Sequence, residues 1–270
     1  MKKSSNHDQP FLMDVTLLRE KVSSWNEYPF NLPVVKNLET LSLHRNVTFI
    51  IGENGTGKST LLEAIATGMG FNPEGGSRNF RFSTRASHSE LFRYLRLSRS
   101  TRRMRDGFFF RAESYFNVAT EIERLDAEPA FGPPIISYFG NHSLHEQSHG
   151  ESFLALFTNR LGGDGFYIVD EPEAALSPNR QLTLLVILHD LVKRGAQFII
   201  ATHSPIIMAY PRSRIVLLLN DSIEEVQYTE TDHYLTTKSF VNDHVNMLKR
   251  LLEEMCSNPG LKTDVENARL

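Results

Sequence analysis

Cysteine is almost absent from the sequence, which contains only Cys256 among its 270 residues. A single thiol cannot form a disulfide bond within the chain, so a disulfide-stabilised secreted domain is excluded. Zinc sites built from several cysteines are excluded for the same reason. A chain of this length buries a core that needs no such crosslinks. We therefore expect an ordinary globular protein of one or two domains.

Long hydrophobic runs are also missing. No stretch of about 18 consecutive apolar residues occurs, so we expect no helix that spans a membrane. The best candidate, residues 182–192, is interrupted by His189 and Asp190. Two lysines near the N terminus have no apolar segment behind them, which is not the pattern of a signal peptide. These features predict a cytoplasmic protein.

The formal net charge is only −3, and this average hides an uneven distribution. Residues 78–111 contain ten arginines, no lysine and two acids, a net charge of +8 that leaves −11 for the rest of the chain. Arg93, Arg96 and Arg103 stand at helical spacing and predict one basic face on a helix over about residues 89–100. This face either pairs with acids from elsewhere in the chain, which we favour, or binds nucleic-acid phosphates.

A glycine-rich loop lies between a predicted strand and a predicted helix. Residues 47–51 form a short apolar, β-branched run, and apolar residues at helical spacing follow the loop. The loop fits the pattern G-x-x-x-x-G-K-S, whose backbone N–H groups surround phosphate oxygens. In this pattern Lys58 reaches the β- and γ-phosphates of ATP, and Ser59 binds Mg²⁺. The predicted ATP-binding residues are Gly52, Glu53, Asn54, Gly55, Thr56, Gly57, Lys58, Ser59 and Thr60.

Two adjacent carboxylates close a second predicted strand. Residues 166–169 are apolar, and Asp170 and Glu171 follow directly. A P-loop protein places a carboxylate there to hold Mg²⁺, which is the role we predict for Asp170. Glu171 is suited to act as the general base that polarises the attacking water. A charged turn before Pro172 is the alternative, and the upstream P-loop favours the functional interpretation.

A histidine follows a third predicted strand. Residues 198–200 are apolar, and His203 comes two positions after the last of them. The imidazole of His203 would face the ligand crevice at the carboxyl end of a parallel strand. A lone histidine is more often structural, so His203 depends on the other motifs for a functional interpretation.

The segment Ser148-His149-Gly150-Glu151 has two compatible interpretations. Ser148 as the N-cap with Glu151 three residues later forms a capping box, which is the structural interpretation. A glycine-bearing helix N terminus with a free hydroxyl is also an anion site. Taken alone, the capping box is favoured.

Short apolar strands that alternate with helices predict an α/β fold with a mostly parallel sheet and helices on both faces. We expect one ATPase domain over residues 1–270. A small Arg-rich helical lobe is expected over about residues 72–140, between the P-loop and Ser148. Residues 1–10 and 257–270 are predicted to be flexible tails.

The order of these motifs resembles the ABC class of P-loop ATPases. Ser148–Ser152 is similar to the signature motif of that class, residues 173–177 are similar to its D-loop, and His203 matches its switch histidine. The resemblance spans about residues 47–204. It is strongest to stand-alone bacterial ATPases of the RecF/SMC-like branch, which are described as AAA-family ATPases.

This resemblance implies a head-to-tail homodimer with two ATP molecules between the subunits. Each ATP would lie on the P-loop of one subunit. The signature residues Ser148, His149, Gly150 and Glu151 of the other subunit would cover it in trans. The resemblance also implies Mg²⁺-dependent hydrolysis with Lys58, Glu171 and His203 as catalytic residues.

The sequence departs from that class in one loop. The class carries a glutamine between P-loop and signature, but no glutamine occurs between Gln9 and Gln147. Ser83, Thr84 and His88 are the candidate replacements. An aromatic residue that stacks on adenine is also expected, and Trp25 and Tyr28 are both candidates.

Several functions fit the motifs. The first is an ATP-gated switch that acts on nucleic acid in repair or defence. The alternatives are the ATPase subunit of a transporter and a nucleotide-dependent regulatory module without nucleic-acid binding. A P-loop kinase is disfavoured because kinases lack a signature helix, and Glu171 argues against a sensor that does not hydrolyse ATP.

Overall fold

The computed structural model describes residues 9–76, 89–111, 124, 126 and 149–257. The chain divides into two compact units, residues 1–226 and residues 227–270. The single ATPase domain over residues 1–270 stays a prediction. The predicted tails lie almost entirely outside the described residues, and the lobe is described only in part.

The described strands and helices are numbered along the chain. The strands are β1 (Leu12–Leu17), β2 (Thr40–Ser42), β3 (Val47–Gly52), β4 (Leu95–Arg99), β5 (Asp106–Arg111), β6 (Gly165–Asp170), β7 (Gln197–Ala201), β8 (Arg214–Leu218) and β9 (Ile223–Val226). The helices are α1 (Pro33–Asn37), α2 (Lys58–Met69), α3 (His149–Ala155), α4 (Pro178–Lys193), α5 (Pro205–Met208) and α6 (Asp232–Ser257). A π-helical turn, Leu156–Arg160, continues α3.

A six-stranded sheet in the order β5-β6-β7-β3-β8-β9 forms the centre of the first unit. Neighbouring strands are parallel except β8 and β9, which pair as an antiparallel hairpin. Every residue of β3, β6 and β7 is buried, as their continuous apolar character predicts. The predicted α/β fold with a mostly parallel sheet is confirmed.

The strand order brings the three predicted motifs to one edge of this sheet. β7 lies between β3 and β6, and Ala201 of β7 is paired with both Ile50 of β3 and Asp170 of β6. The P-loop, the Asp170-Glu171 pair and His203 all follow at the carboxyl ends of these strands. That edge is where an open parallel sheet binds its ligand.

A second sheet of three antiparallel strands, β2-β1-β4, was not predicted. The side chain of Gln197 on β7 ties it to the central sheet. Its Oε1 accepts hydrogen bonds from the N–H groups of Phe11 (2.8 Å) and Leu12 (3.0 Å). Its Nε2 donates to the carbonyls of Leu12 (2.8 Å) and His44 (3.1 Å). Gln197 is fully buried, and these four bonds satisfy its amide.

The predicted helix over residues 89–100 is wrong. The structure has a short 3₁₀ helix, Glu90–Tyr94, followed by β4, which pairs with β1. Leu95 and Leu97 alternate with polar residues and turn towards the core, so the period of two prevails over the helical spacing of the arginines. Residues 106–111 form β5, also within the predicted helical lobe.

The second unit contains a 3₁₀ helix, Tyr228–Glu230, and the helix α6. The helix α6 begins at Asp232. It is interrupted at Asp243, whose backbone dihedrals (φ −146°, ψ 46°) are not helical. Across the described part of the chain, no helix combines the length and the apolar character needed to cross a membrane.

Candidate active site

The P-loop connects β3 to α2 through backbone that requires glycine. Gly52, Gly55 and Gly57 have φ angles of 148°, 84° and 98°. A Cβ on Gly52 would lie 2.5 Å from the Leu218 carbonyl oxygen, so the loop also packs too closely for a side chain. Gly57 is the N-cap residue of the 12-residue helix α2. The unpaired N–H groups of this helix N terminus make a site for phosphate.

Lys58 lies at the start of α2 with its side chain turned into the loop. Its Nζ donates hydrogen bonds to the carbonyls of Gly52 (2.8 Å) and Glu53 (3.0 Å). Burial lowers the pKa of Lys58, while the nearby carboxylates of Glu171 and Asp170 oppose this shift. The ammonium group is therefore held between the phosphate-binding loop and the acidic end of β6.

Ser59 and Asp170 come together as predicted for a magnesium site. The Ser59 hydroxyl lies 3.3 Å from Asp170 Oδ1, and the Asp170 side chain is buried. Mg²⁺ prefers oxygen ligands and uses one or two carboxylates together with substrate phosphates and water. The hydroxyl and the carboxylate provide this donor set, so the two residues fit the ion.

Arg111, which sequence reasoning missed, lies beside this carboxylate. It is the last residue of β5 and pairs in register with Asp170. Its Nε is 3.7 Å from Asp170 Oδ2, and its Nη1 is 3.1 Å from Glu63 Oε2 on α2. The sequence does show a charged residue at the end of the apolar run Phe108–Phe110. This pattern indicates a place in the site only once β5 is known to lie next to β6. The predicted glutamine replacements, Ser83, Thr84 and His88, lie outside the described residues.

Glu171 and His203 face each other across the ends of β6 and β7. Glu171 has a left-handed backbone (φ 50°), and its N–H donates to the Ala201 carbonyl at 3.0 Å. Its Oε1 lies 3.7 Å from His203 Nε2. A positive φ is uncommon for a residue with a side chain and often marks a functional site. The proposed general base and the proposed switch histidine are therefore neighbours within one chain.

Gly150 of the predicted signature is buried against the loop after Glu171. A Cβ at this position would lie 2.8 Å from the Ala175 carbonyl oxygen and 2.4 Å from Arg180 Nη1. Arg180 also pairs with Glu151 at 3.0 Å. The start of α3 thus packs closely on the predicted D-loop of the same chain. Ser148 and the side chain of His149 lie outside the described residues, so the capping box stays a prediction.

The two candidates for adenine stacking have different surroundings. Tyr28 is exposed, and its hydroxyl lies 3.5 Å from Thr60 Oγ1 in the first turn of α2. The ring of Trp25 is covered by the Arg19 guanidinium, 4.3 Å from its centroid. Of the two rings, Tyr28 is the one that stands free beside the P-loop helix.

The predicted basic face on a helix does not form. Arg93 lies in the 3₁₀ helix and pairs with Glu90 at 3.0 Å, Arg96 is exposed on β4, and Arg103 lies in the connection to β5. Other arginines of the segment also bind groups of their own chain. Arg102 contacts Asp164 at 2.5 Å, and Arg99 donates to the Gly68 carbonyl. Most of the described arginines of this segment therefore contact groups of their own chain, as the favoured interpretation predicts.

The chain is similar to known proteins in sequence and in fold. Two family models match, an "AAA domain" over residues 29–122 and an "AAA domain, putative AbiEii toxin, Type IV TA system" over residues 143–209. The ABC transporter G family member STR2 of Medicago truncatula is 25% identical over 190 residues, 66% of this chain and 25% of that protein. The energy-coupling factor transporter ATP-binding protein EcfA2 of Methanospirillum hungatei is 26% identical over 213 residues, 71% of this chain and 50% of its own.

The solved structure of MJ1267, an ATP-binding cassette of an ABC transporter, shares the fold. It has a TM-score of 0.50 at 18% identity, over 88% of this chain and 99% of that one. The chain spans only a quarter of STR2 and half of EcfA2. The sheet, the order of the motifs and these matches are consistent with an ABC-class P-loop ATPase.

Proposed function

We propose that two copies of this chain enclose ATP between them and hydrolyse it, so that the chain acts as an ATP-gated switch. The observation that carries the proposal is the convergence of three strand ends. Lys58, the Ser59–Asp170 pair and the Glu171–His203 pair all lie at one edge of the central sheet. Each group supplies a different part of phosphoryl transfer to water.

The P-loop N–H groups and Lys58 would bind the β- and γ-phosphates. Ser59 and Asp170 would hold Mg²⁺, which when bound supplies positive charge to the phosphate oxygens. Glu171 takes the proton of the attacking water, and His203, 3.7 Å away, orients that carboxylate and the γ-phosphate. The cytoplasm, where ATP is available, is the compartment we propose.

A second copy would complete the site with its signature residues 148–151. N–H groups at a helix N terminus favour an anion, so the start of α3 is the surface that would meet the phosphates. The contact of Gly150 with Ala175 connects this surface to the loop that carries Glu171. A nucleotide held between two copies would therefore stabilise the dimer by its own binding free energy.

Glu171→Gln tests this proposal. The variant should bind Mg-ATP, lose hydrolysis by about 10²–10⁴-fold, and accumulate as a dimer that gel filtration with light scattering detects. Without nucleotide, it should elute like the wild type. A variant that stays monomeric with Mg-ATP at high protein concentration would contradict the composite site.

The ATP-binding subunit of a transporter is the second candidate function, favoured by the names of the relatives. In that case a tagged chain should co-purify with a membrane protein from detergent-solubilised membranes. A nucleic-acid partner has less support, because most of the described arginines of residues 89–111 contact their own chain. ATPase rates with and without DNA or RNA separate these functions.

A further inference from the structure

The carboxylate of Glu173 accepts two hydrogen bonds from the segment that carries His203. Glu173 lies in the 3₁₀ helix Pro172–Ala175, directly after Glu171 and Pro172. Its Oε1 accepts a hydrogen bond from the N–H of His203 at 2.5 Å, and its Oε2 accepts one from the Thr202 hydroxyl at 2.7 Å. Hydrogen bonds to an ionised acceptor are about twice as strong as neutral ones, so this two-pronged contact fixes the loop firmly.

Glu171 and Glu173 therefore lie next to different parts of His203. Glu171 faces the imidazole of His203 at 3.7 Å, whereas Glu173 holds the main chain of the same residue. The main chain of His203 is therefore held by a contact that involves neither the imidazole nor the Glu171 carboxylate.

A buried polar network extends the same link. The Ser204 N–H donates to Thr202 Oγ1 at 3.0 Å, and the Ser204 hydroxyl donates to Gln181 Oε1 at 2.5 Å. Gln181 Nε2 in turn donates to the Leu176 carbonyl at 3.0 Å. Thr202, Ser204 and Gln181 are all buried. Buried networks with satisfied partners are rigid, so residues 173–176 and 202–204 are held as one body.

We propose that Glu173 is a positioning residue that sets His203 against Glu171. The inference rests on the proposed function, because it concerns the geometry of the same hydrolytic site. Glu173 acts through the Thr202 hydroxyl and the His203 N–H rather than on the substrate. Its loss lets the imidazole move away from the carboxylate of Glu171. Displacements of about 1 Å at such sites reduce rates by about 10²-fold.

The test is a double-mutant cycle with Glu173→Ala, His203→Ala and the double variant, measured as the kcat and KM of ATP hydrolysis. Glu173→Ala should lower kcat by about 10²-fold and leave KM and the binding of a fluorescent ATP analogue unchanged. The double variant should be about as slow as His203→Ala, because the proposed effect of Glu173 on the rate passes through His203. Glu224→Ala is the matched control, since Glu224 also accepts a hydroxyl bond (Ser222, 2.8 Å) but is exposed on β9.

Losses that multiply in the double variant would overturn the inference, because Glu173 would then act independently of His203. Wild-type kcat in Glu173→Ala would overturn it too, while leaving the proposed function intact. A wild-type chain that does not hydrolyse ATP would overturn both. If Glu173→Ala fails to fold, Thr202→Val removes one of the two hydrogen bonds to Glu173 and should lower kcat. Thr202→Ser keeps the hydroxyl and should hydrolyse ATP at the wild-type rate.

Discussion

Arg111 stands directly opposite Asp170 in the pairing of β5 with β6, and its Nε lies 3.7 Å from Asp170 Oδ2. Glu63 on α2 binds the other end of the same guanidinium at 3.1 Å. A permanent cation therefore lies next to the carboxylate proposed for Mg²⁺. Two cations at one carboxylate repel each other, so Arg111 should weaken the binding of the metal.

We expect Arg111→Gln to lower the Mg²⁺ concentration that half-saturates ATP binding by at least roughly fivefold, because even two unit like charges about 4 Å apart in water repel by about 1 kcal/mol and Mg²⁺ carries two charges. Titration of a fluorescent ATP analogue with Mg²⁺ measures this shift. Arg111→Lys keeps the charge and should stay near the wild type. A higher Mg²⁺ requirement in Arg111→Gln would instead mean that Arg111 mainly holds Asp170 in place.

The predicted groups that the structure brings together at this site share one property. Lys58, Asp170 and His203 each follow a short apolar strand, so local pattern and strand parallelism were enough to bring them together. Arg111 also ends an apolar strand, but its relation to Asp170 depends on the order of strands in the sheet. Glu173 was visible only as part of the D-loop resemblance, because its hydrogen bonds join segments thirty residues apart.

The prediction of a helix in the arginine-rich segment was wrong for a different reason. Arg93 and Arg96 stand at helical spacing, yet Leu95 and Leu97 also alternate, and both patterns fit so short a window. Pairing with β1 decided in favour of the strand. β1 itself, Leu12–Leu17, was not recognised, so its partner could not be recognised either. Antiparallel pairing between distant segments leaves little trace in either segment alone.

Gly150→Ala should destabilise the first unit and abolish ATP hydrolysis. The added Cβ would meet the Ala175 carbonyl at 2.8 Å, and overpacking of this kind costs about 1–3 kcal/mol. Urea unfolding followed by circular dichroism measures the loss. Gly162→Ala is the matched control, because the nearest atom, Asp106 Oδ2, would lie at an ordinary 3.7 Å. Equal stability of the two variants would contradict the close packing at Gly150.

Gln197→Leu should lower the free energy of unfolding by about 3 kcal/mol or more. The substitution leaves the N–H groups of Phe11 and Leu12 without their side-chain acceptor in a fully buried place. Each buried polar group without a partner costs about 1–3 kcal/mol. Gln9→Leu, at an exposed position, should change stability by no more than about 0.5 kcal/mol. Chemical denaturation compares the two, and a small effect at Gln197 would show that the two sheets are held mainly by apolar packing.

Tyr28→Ala should raise the Kd for ATP while leaving the kcat of hydrolysis nearly unchanged. Tyr28 is the exposed ring beside Thr60, and stacking of a base on an aromatic side chain contributes about 1–3 kcal/mol, which corresponds to roughly tenfold in affinity. Tyr28→Phe keeps the ring and should bind ATP like the wild type. Trp25→Ala is the comparison at the other candidate, whose ring already contacts Arg19. The affinities of the variants for ATP and for inorganic triphosphate, which has no base, show which ring stacks on adenine. Loss of the stacking residue lowers the affinity for ATP and leaves the affinity for triphosphate unchanged. If Trp25→Ala shows that selective loss and Tyr28→Ala does not, adenine stacks at Trp25 instead.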